Sequence, residues 1–114
     1  MEKAISCKNV ELSNEFKEHR KQIYDYGLHE YGYFQAEQYS QQIIEALSTL
    51  MFFPALYPEC RFLVTKNHIY RNIILDAHLI IYRNSDYHIE VLDIIHKASS
   101  IGKIQKARKI KVNS

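Results

Sequence analysis

Three runs rich in β-branched and aromatic residues, at 69–75, 78–83 and 87–95, are separated only by Asp76-Ala77 and by Asn84-Ser85-Asp86. A parallel crossover needs a dozen or more residues, so connections of two and three residues make these runs antiparallel neighbours in one sheet. The middle run, His78-Leu79-Ile80-Ile81-Tyr82-Arg83, is apolar almost throughout. Such a strand has no face to give to water and is expected to be covered on both sides. A further strand is predicted over residues 60–65, ahead of the turn Lys66-Asn67-His68.

The chain before residue 60 follows a different periodicity. Tyr39, Ile43, Leu47 and Leu50 recur at i, i+4, i+8 and i+11, and Ala36, Ala46 and Met51 widen the stripe. That spacing predicts a helix with one apolar face, stopped by Pro54 and Pro58. An earlier helix starts at Ser13 or Asn14, either of which can cap orphan amides with its side-chain oxygen. Its apolar face carries Phe16, Ile23, Tyr24 and Leu28, and Gly27 and Gly32 predict a break between 27 and 32. The short connection makes the two helices an antiparallel hairpin. Residues 3–12, with Ile5, Cys7 and Val10, predict a first strand, and Ser99 or Ser100 could cap a short last helix containing Ile101 and Ile104. The expected class is α+β: an N-terminal strand, an antiparallel two-helix hairpin, a twisted antiparallel sheet of three to four strands and a short C-terminal helix.

With 114 residues, 46% of them hydrophobic and 25% charged, residues 1–114 are expected to form a single domain around one core. Cys7 and Cys60 lack metal-type spacing. There is no basic start followed by an apolar run, and no stretch approaches the roughly 20 apolar residues of a membrane span. These features predict a soluble, cytoplasmic protein with free thiols and no membrane partner. The net charge of +2 is unevenly spread: residues 1–50 carry 8 acids and 5 bases, residues 51–114 carry 5 acids and 10 bases. The segment 97–114 holds six bases (Lys97, Lys103, Lys106, Arg108, Lys109 and Lys111) and no acid. It reads either as a solvated end or as a patch for an anionic partner, nucleic acid or an acidic protein segment.

The familiar enzyme motifs are missing: no G-x-S-x-G elbow, P-loop, G-x-G-x-x-G or H-E-x-x-H occurs. His68, His78, His88 and His96 fall in the strand region without zinc-type spacing, so neither metal nor cofactor is expected. What stays open is Arg71, His78, Tyr82, Arg83 and His96. On one sheet surface they would suit metal-free RNA cleavage, with arginine stabilising the phosphate and histidine or tyrosine moving the proton. The plainer alternative makes the two arginines ordinary surface residues and His96 a satisfied strand-end histidine.

Over about residues 5–110 the sequence resembles the RelE/ParE superfamily of bacterial toxins. The landmarks are Glu11-Leu12-Ser13 closing a first strand, Leu50-Met51-Phe52-Phe53-Pro54 closing the helical pair, Tyr70-Arg71 in an arginine-bearing strand, the His78–Arg83 strand, and Ile94-Ile95-His96 closing the last. The middle strand looks more like the ParE branch, since RelE-like ribonucleases tend to carry arginine three residues before the tyrosine, where Leu79 stands here. Lys97, Ala98, Ser99 and Ser100 follow His96, departing from the further bases of RelE and from the arginines of many ParE proteins.

The resemblance implies the toxin of a type II toxin–antitoxin module, inhibiting growth and stabilising a plasmid or residing on a chromosome. ParE-like action would be inhibition of DNA gyrase by binding, with Arg71, Arg83, His96, Lys97, Lys103, Lys106 and Arg108 as contacts to target or antitoxin. A RelE-like reading would make it an endoribonuclease on ribosome-bound mRNA using Arg71, Tyr82, Arg83 and His96. A third is a degenerate toxin that only binds its antitoxin. Each implies a cognate antitoxin and either a homodimer or a toxin–antitoxin hetero-oligomer. The antitoxin would need an exposed apolar patch, for which Tyr24, Tyr31, Tyr33, Phe34, Phe52 and Phe53 are candidates, the last two expected rather in the core.

Overall fold

A computed structural model of the chain describes residues 8–112, so Cys7 and the first residues of the predicted N-terminal strand lie outside the described region. Strand β1 (Asn9–Leu12) leads into helices α1 (Asn14–Tyr31) and α2 (Tyr33–Phe52), followed by strands β2 (Tyr70–Ile74), β3 (His78–Asn84) and β4 (His88–His96). A short helix α3 (Ile101–Gln105) continues into a 3-10 turn, Lys106–Lys109. The class is α+β, as expected.

The three consecutive strands pair antiparallel, with Ile73 opposite Ile80 and Ile80 opposite Ile94. The sheet is nevertheless mixed. Its order is β1-β4-β3-β2, and β1 runs parallel to β4, with Val10 beside Ile89 and Leu12 beside Val91. Parallel pairing is open to β1 because the whole helical hairpin serves as its crossover connection. Its backbone pairing then completes the edge that β4 would otherwise expose.

Helix α1 does not break at Gly27. It runs on to Tyr31 and stops at Gly32, whose φ of 92° and ψ of 170° belong to a region that only glycine occupies without strain. That single residue reverses the chain into α2. Gly27 lies at the helix–helix contact: a Cβ built on it would sit 3.5 Å from Ala36 Cβ.

Phe16, Ile43, Ala46 and Leu50 from the helices pack on Ile73, Ile80, Tyr82, Ile89, Val91 and Ile94 of one sheet face. The other face carries a second cluster, in which Ile81, Leu92 and Ile95 are covered by Cys60, Leu63, Ile104 and Ala107. The middle strand is thus buried on both sides, as its composition requires. The predicted strand at 60–65 does not form. Its place is taken by a turn in which the Leu63 amide donates to Cys60 O at 3.0 Å, with a single bridge, Glu59 to Arg71, alongside. Cys60 and Leu63 are buried as plugs of this second cluster, which explains an apolar, strand-like composition without a strand.

One irregularity decides which side chains of β4 face the helices. Between Ile81–Asp93 and Tyr82–Val91 the register slips, leaving Leu92 as an extra residue in β4. A β-bulge of this kind inverts the in/out alternation downstream. Val91 and Ile94 therefore face the helices while Leu92 and Ile95 face the second cluster.

Candidate functional site

The bulge carries His96 onto the helix-facing side of the sheet, where it is the register partner of His78. The two rings meet edge to face, with centroids 5.6 Å apart. His78 Nδ1 lies 2.8 Å from the hydroxyl of Tyr39 on α2, and that hydroxyl accepts from the Ala77 amide at 3.4 Å. Tyr39 therefore donates to His78, whose neutral ring keeps its proton on Nε2. His96 Nδ1 accepts from the Ala98 amide at 3.0 Å, which fixes the same tautomer for its neutral ring. Burial, and secondarily the nearby His96, lower the pKa of His78 from its ordinary value, while burial raises that of Tyr39.

These residues sit at the floor of an open cleft of about 1230 Å³ between the helical hairpin and the ends of β3 and β4. Lys17, Arg20, Lys21 and Lys103 line it too, together with Glu37 and Asp76, so four cations face two acids and its rim is cationic on balance. On its α1 side His19 Nδ1 contacts Asp93 Oδ1 at 2.6 Å. Because unfolded His78 titrates near pH 6.5 and folded His78 lower, acidification below about 6.5 protonates the unfolded chain first. Folding stability is expected to fall with pH in that window and to be free of this effect above it. Replacing His78 with glutamine should flatten the slope of urea midpoints between pH 7 and pH 5; an unchanged slope would mean that His78 is not its source.

The structure does not gather Arg71, Tyr82, Arg83 and His96 into one constellation. Tyr82 is fully buried, and its hydroxyl donates to Pro54 O at 2.6 Å. Burial raises its pKa far above the ordinary tyrosine value. Arg71, opposite Tyr82 in the register, donates to Tyr57 O at 2.5 Å and so holds the loop after α2. Arg83 lies on the other sheet face. Its Nε donates to Glu90 Oε1 at 2.6 Å, Nη1 to the Tyr70 hydroxyl at 3.2 Å and Nη2 to Ile110 O at 3.2 Å. Burial disfavours its charge, but the bonds to Glu90 and Tyr70 prevail and raise its pKa. His96 stands four register positions beyond Tyr82 on β3, roughly 13 Å along the strand.

The basic segment is held differently. Ile104 and Ala107 are buried, and they anchor α3 and the 3-10 turn to the second cluster. Lys97, Lys103, Lys106, Arg108 and Lys109 are exposed, and among the described residues no acid pairs with Lys103, Lys106 or Arg108. The segment is thus an ordered basic surface rather than a loose tail.

Two groups of exposed apolar residues fall at the ends of the hairpin, while Val64, Ile74, Tyr87 and Ile101 are exposed elsewhere. Tyr26, Tyr31, Tyr33 and Phe34 are exposed around its tip, while Tyr24 is half-buried and its hydroxyl bonds Glu37. Phe52 and Phe53, expected in the core, are exposed at 46% and 59%. For Phe52 the reason is helical geometry: Ile43, Ala46 and Leu50 face the sheet, and two residues beyond Leu50 lies about 200° round the axis, while Phe53 already lies past the helix end with φ of −134° and ψ of 64°. Among the described residues no helix is long and apolar enough to cross a membrane.

Tyr39, His19 and Asp93 were not legible as site residues. No local signal marked them: an adjacent apolar pair like Val91-Leu92 at the bulge also occurs at Ile80-Ile81 and Ile94-Ile95, where the pairing is regular.

Comparison with known proteins agrees with this architecture. The family model described as "ParE toxin of type II toxin-antitoxin system, parDE" matches residues 10–101. A solved structure described as the chromosomal ParDE TA system from P. aeruginosa shares the fold, with a TM-score of 0.64 at 16% identity over 79% of this chain and 96% of that one. No match to a curated protein sequence was found. With its family match spanning most of the chain, from β1 to the start of α3, the protein belongs to the ParE toxin family of type II toxin–antitoxin systems.

Proposed function

We propose that this toxin acts by binding rather than by covalent chemistry, that its target is DNA gyrase, and that a cognate antitoxin neutralises it in the cytoplasm. The observation that carries this reading is the division of labour among the cationic residues. Arg71, Tyr82 and Arg83 are consumed by bonds within the protein, Arg71 and Tyr82 to the loop after α2 and Arg83 to Glu90 and Tyr70, whereas Lys103, Lys106 and Arg108 are exposed on an anchored scaffold. A ribonuclease would need a proton-transfer group and a cation at the same phosphate. Tyr82 has no route to one, and His96 lies far from Arg71 and Arg83. Exposed bases on an ordered surface instead suit electrostatic recognition of an acidic partner.

The antitoxin would cover the exposed aromatics of the hairpin with apolar residues and the cationic cleft rim with acidic ones. The test is gyrase supercoiling with purified toxin, with and without the antitoxin. Inhibition with accumulation of cleaved DNA, relieved by antitoxin and weakened by Lys106→Glu with Arg108→Glu, is the expected result. Supercoiling untouched at micromolar toxin would overturn it. Codon-positioned mRNA cuts in expressing cells would then favour the endoribonuclease, and no growth arrest would favour a toxin reduced to antitoxin binding.

A further inference from the structure

We propose that Glu11, His88 and Glu90 form a binding site for a divalent transition-metal ion, away from the cleft. Glu11 on β1 and Glu90 on β4 are register partners in the parallel pair, so their side chains leave the same sheet face. His88, two residues before Glu90, joins them there. One donor atom from each residue lies within 4.8 Å of the other two. His88 Nε2 stands 3.4 Å from Glu90 Oε2 and 3.8 Å from Glu11 Oε1.

Three observations point to a cation. First, like charges directly opposite each other in a sheet are destabilising, and Arg83 compensates only one of the two carboxylates. Second, Glu11 Oε1 is withdrawn from solvent and has no hydrogen-bond partner, and it is the oxygen that faces His88 Nε2. A carboxylate oxygen in that condition is costly unless a cation or proton reaches it. Third, the spacing suits a metal. Tetrahedral zinc with ligand bonds of about 2.0–2.2 Å sets its ligands about 3.3–3.5 Å apart, so the His88–Glu90 pair is in place at 3.4 Å, and Glu11, 3.8 Å from His88, has to close in on both. Arg83 Nε, bonded to Glu90 Oε1, leaves Oε2 turned to the site and holds the carboxylate in orientation, as hydrogen bonds to metal ligands commonly do.

An imidazole with two carboxylates selects zinc, cobalt or nickel over magnesium or calcium, which prefer oxygen alone. With three protein ligands the ion would keep a position for water, and it would tie the edge strand β1 to β4 beneath the Arg83 bond to the C-terminal segment.

The test is titration of the untagged full-length chain with Co²⁺, followed by displacement with Zn²⁺. One equivalent of Co²⁺ giving the visible band of a tetrahedral site, abolished by Zn²⁺, is the expected result. Glu11→Gln and His88→Gln should each weaken binding by about 100-fold or more, given that loss of a mere hydrogen-bond partner to a ligand costs 10–100-fold. His68→Gln, removing a histidine paired with Glu59 at 3.1 Å on another surface, should leave it unchanged. Should a variant fail to fold, the wild-type chain still decides. Zn²⁺ must shift the imidazole resonances of His88 and not those of His68. No cobalt band, or binding that survives His88→Gln, or shifts confined to other histidines, would overturn the proposal and leave His88 as a neighbour of the two glutamates and no more.

Discussion

Arg83→Ala is expected to lower folding stability by about 2–4 kcal/mol in urea denaturation at pH 7. Breaking a buried ion pair by removing one partner typically costs 3–5 kcal/mol, because the other charge stays behind unpaired. Here the figure is trimmed because both side chains keep some solvent contact, 17% for Arg83 and 15% for Glu90. The loss has three sources that can be separated. Glu90 is left facing its register partner Glu11, Tyr70 loses the guanidinium over its ring, and Ile110 O loses its donor. Removing the stranded charge in Arg83→Ala/Glu90→Gln should recover part of the stability, whereas Glu90→Gln alone should cost less than Arg83→Ala. A single mutant within 0.5 kcal/mol of wild type would show that the pair contributes nothing beyond an exposed one. The same experiment bears on function. Arg83 positions the C-terminal segment through Ile110, so weaker target binding by Arg83→Ala would not by itself make Arg83 a contact.

Ser13→Ala should cost about 2–4 kcal/mol, a large effect for the loss of one oxygen. Ser13 is 1% exposed and performs two tasks at once. Its Oγ accepts from the Phe16 amide at 2.9 Å, capping α1, and donates to Leu92 O at 2.5 Å, satisfying the carbonyl of the bulged residue. The cap alone is worth about 1 kcal/mol. The stranded buried carbonyl adds about 1–3 kcal/mol. Aspartate, ordinarily at least as good a cap, separates the two contributions: its ionised carboxylate accepts from Phe16 but cannot donate to Leu92 O. Ser13→Asp should therefore keep the cap and still fall short of wild type by about 1–3 kcal/mol or more, the cost of the lost bond to Leu92 O. If aspartate restored wild-type stability, the bond to the bulge would carry no weight.

This one residue illustrates where reading the chain succeeds and where it stops. That Ser13 or Asn14 starts a helix follows from local chemistry, because the orphan amides of a first turn need an oxygen within three residues. That Ser13 also reaches a carbonyl 79 residues away does not. The same division runs through the molecule. The strands of the second half and their antiparallel pairing were legible because two- and three-residue turns permit nothing else. The helical hairpin was legible because its apolar stripe has the helical period. The plugs at Cys60 and Leu63 misled because burial, not strand pairing, selects apolar residues there.

Local sequence determined the elements, their class and the neighbours reached by short turns, since propensity, period and turn length act over a few residues. Only the tertiary structure decided the rest. It set β1 parallel to β4, which brings Glu11 beside His88 and Glu90. It placed the bulge at Leu92, which turns His96 onto the face of His78. It also engaged Arg71, Tyr82 and Arg83 with the protein's own backbone and carboxylates. Each of these depends on contacts between residues distant in the chain, and such contacts leave no periodic trace in the sequence that forms them.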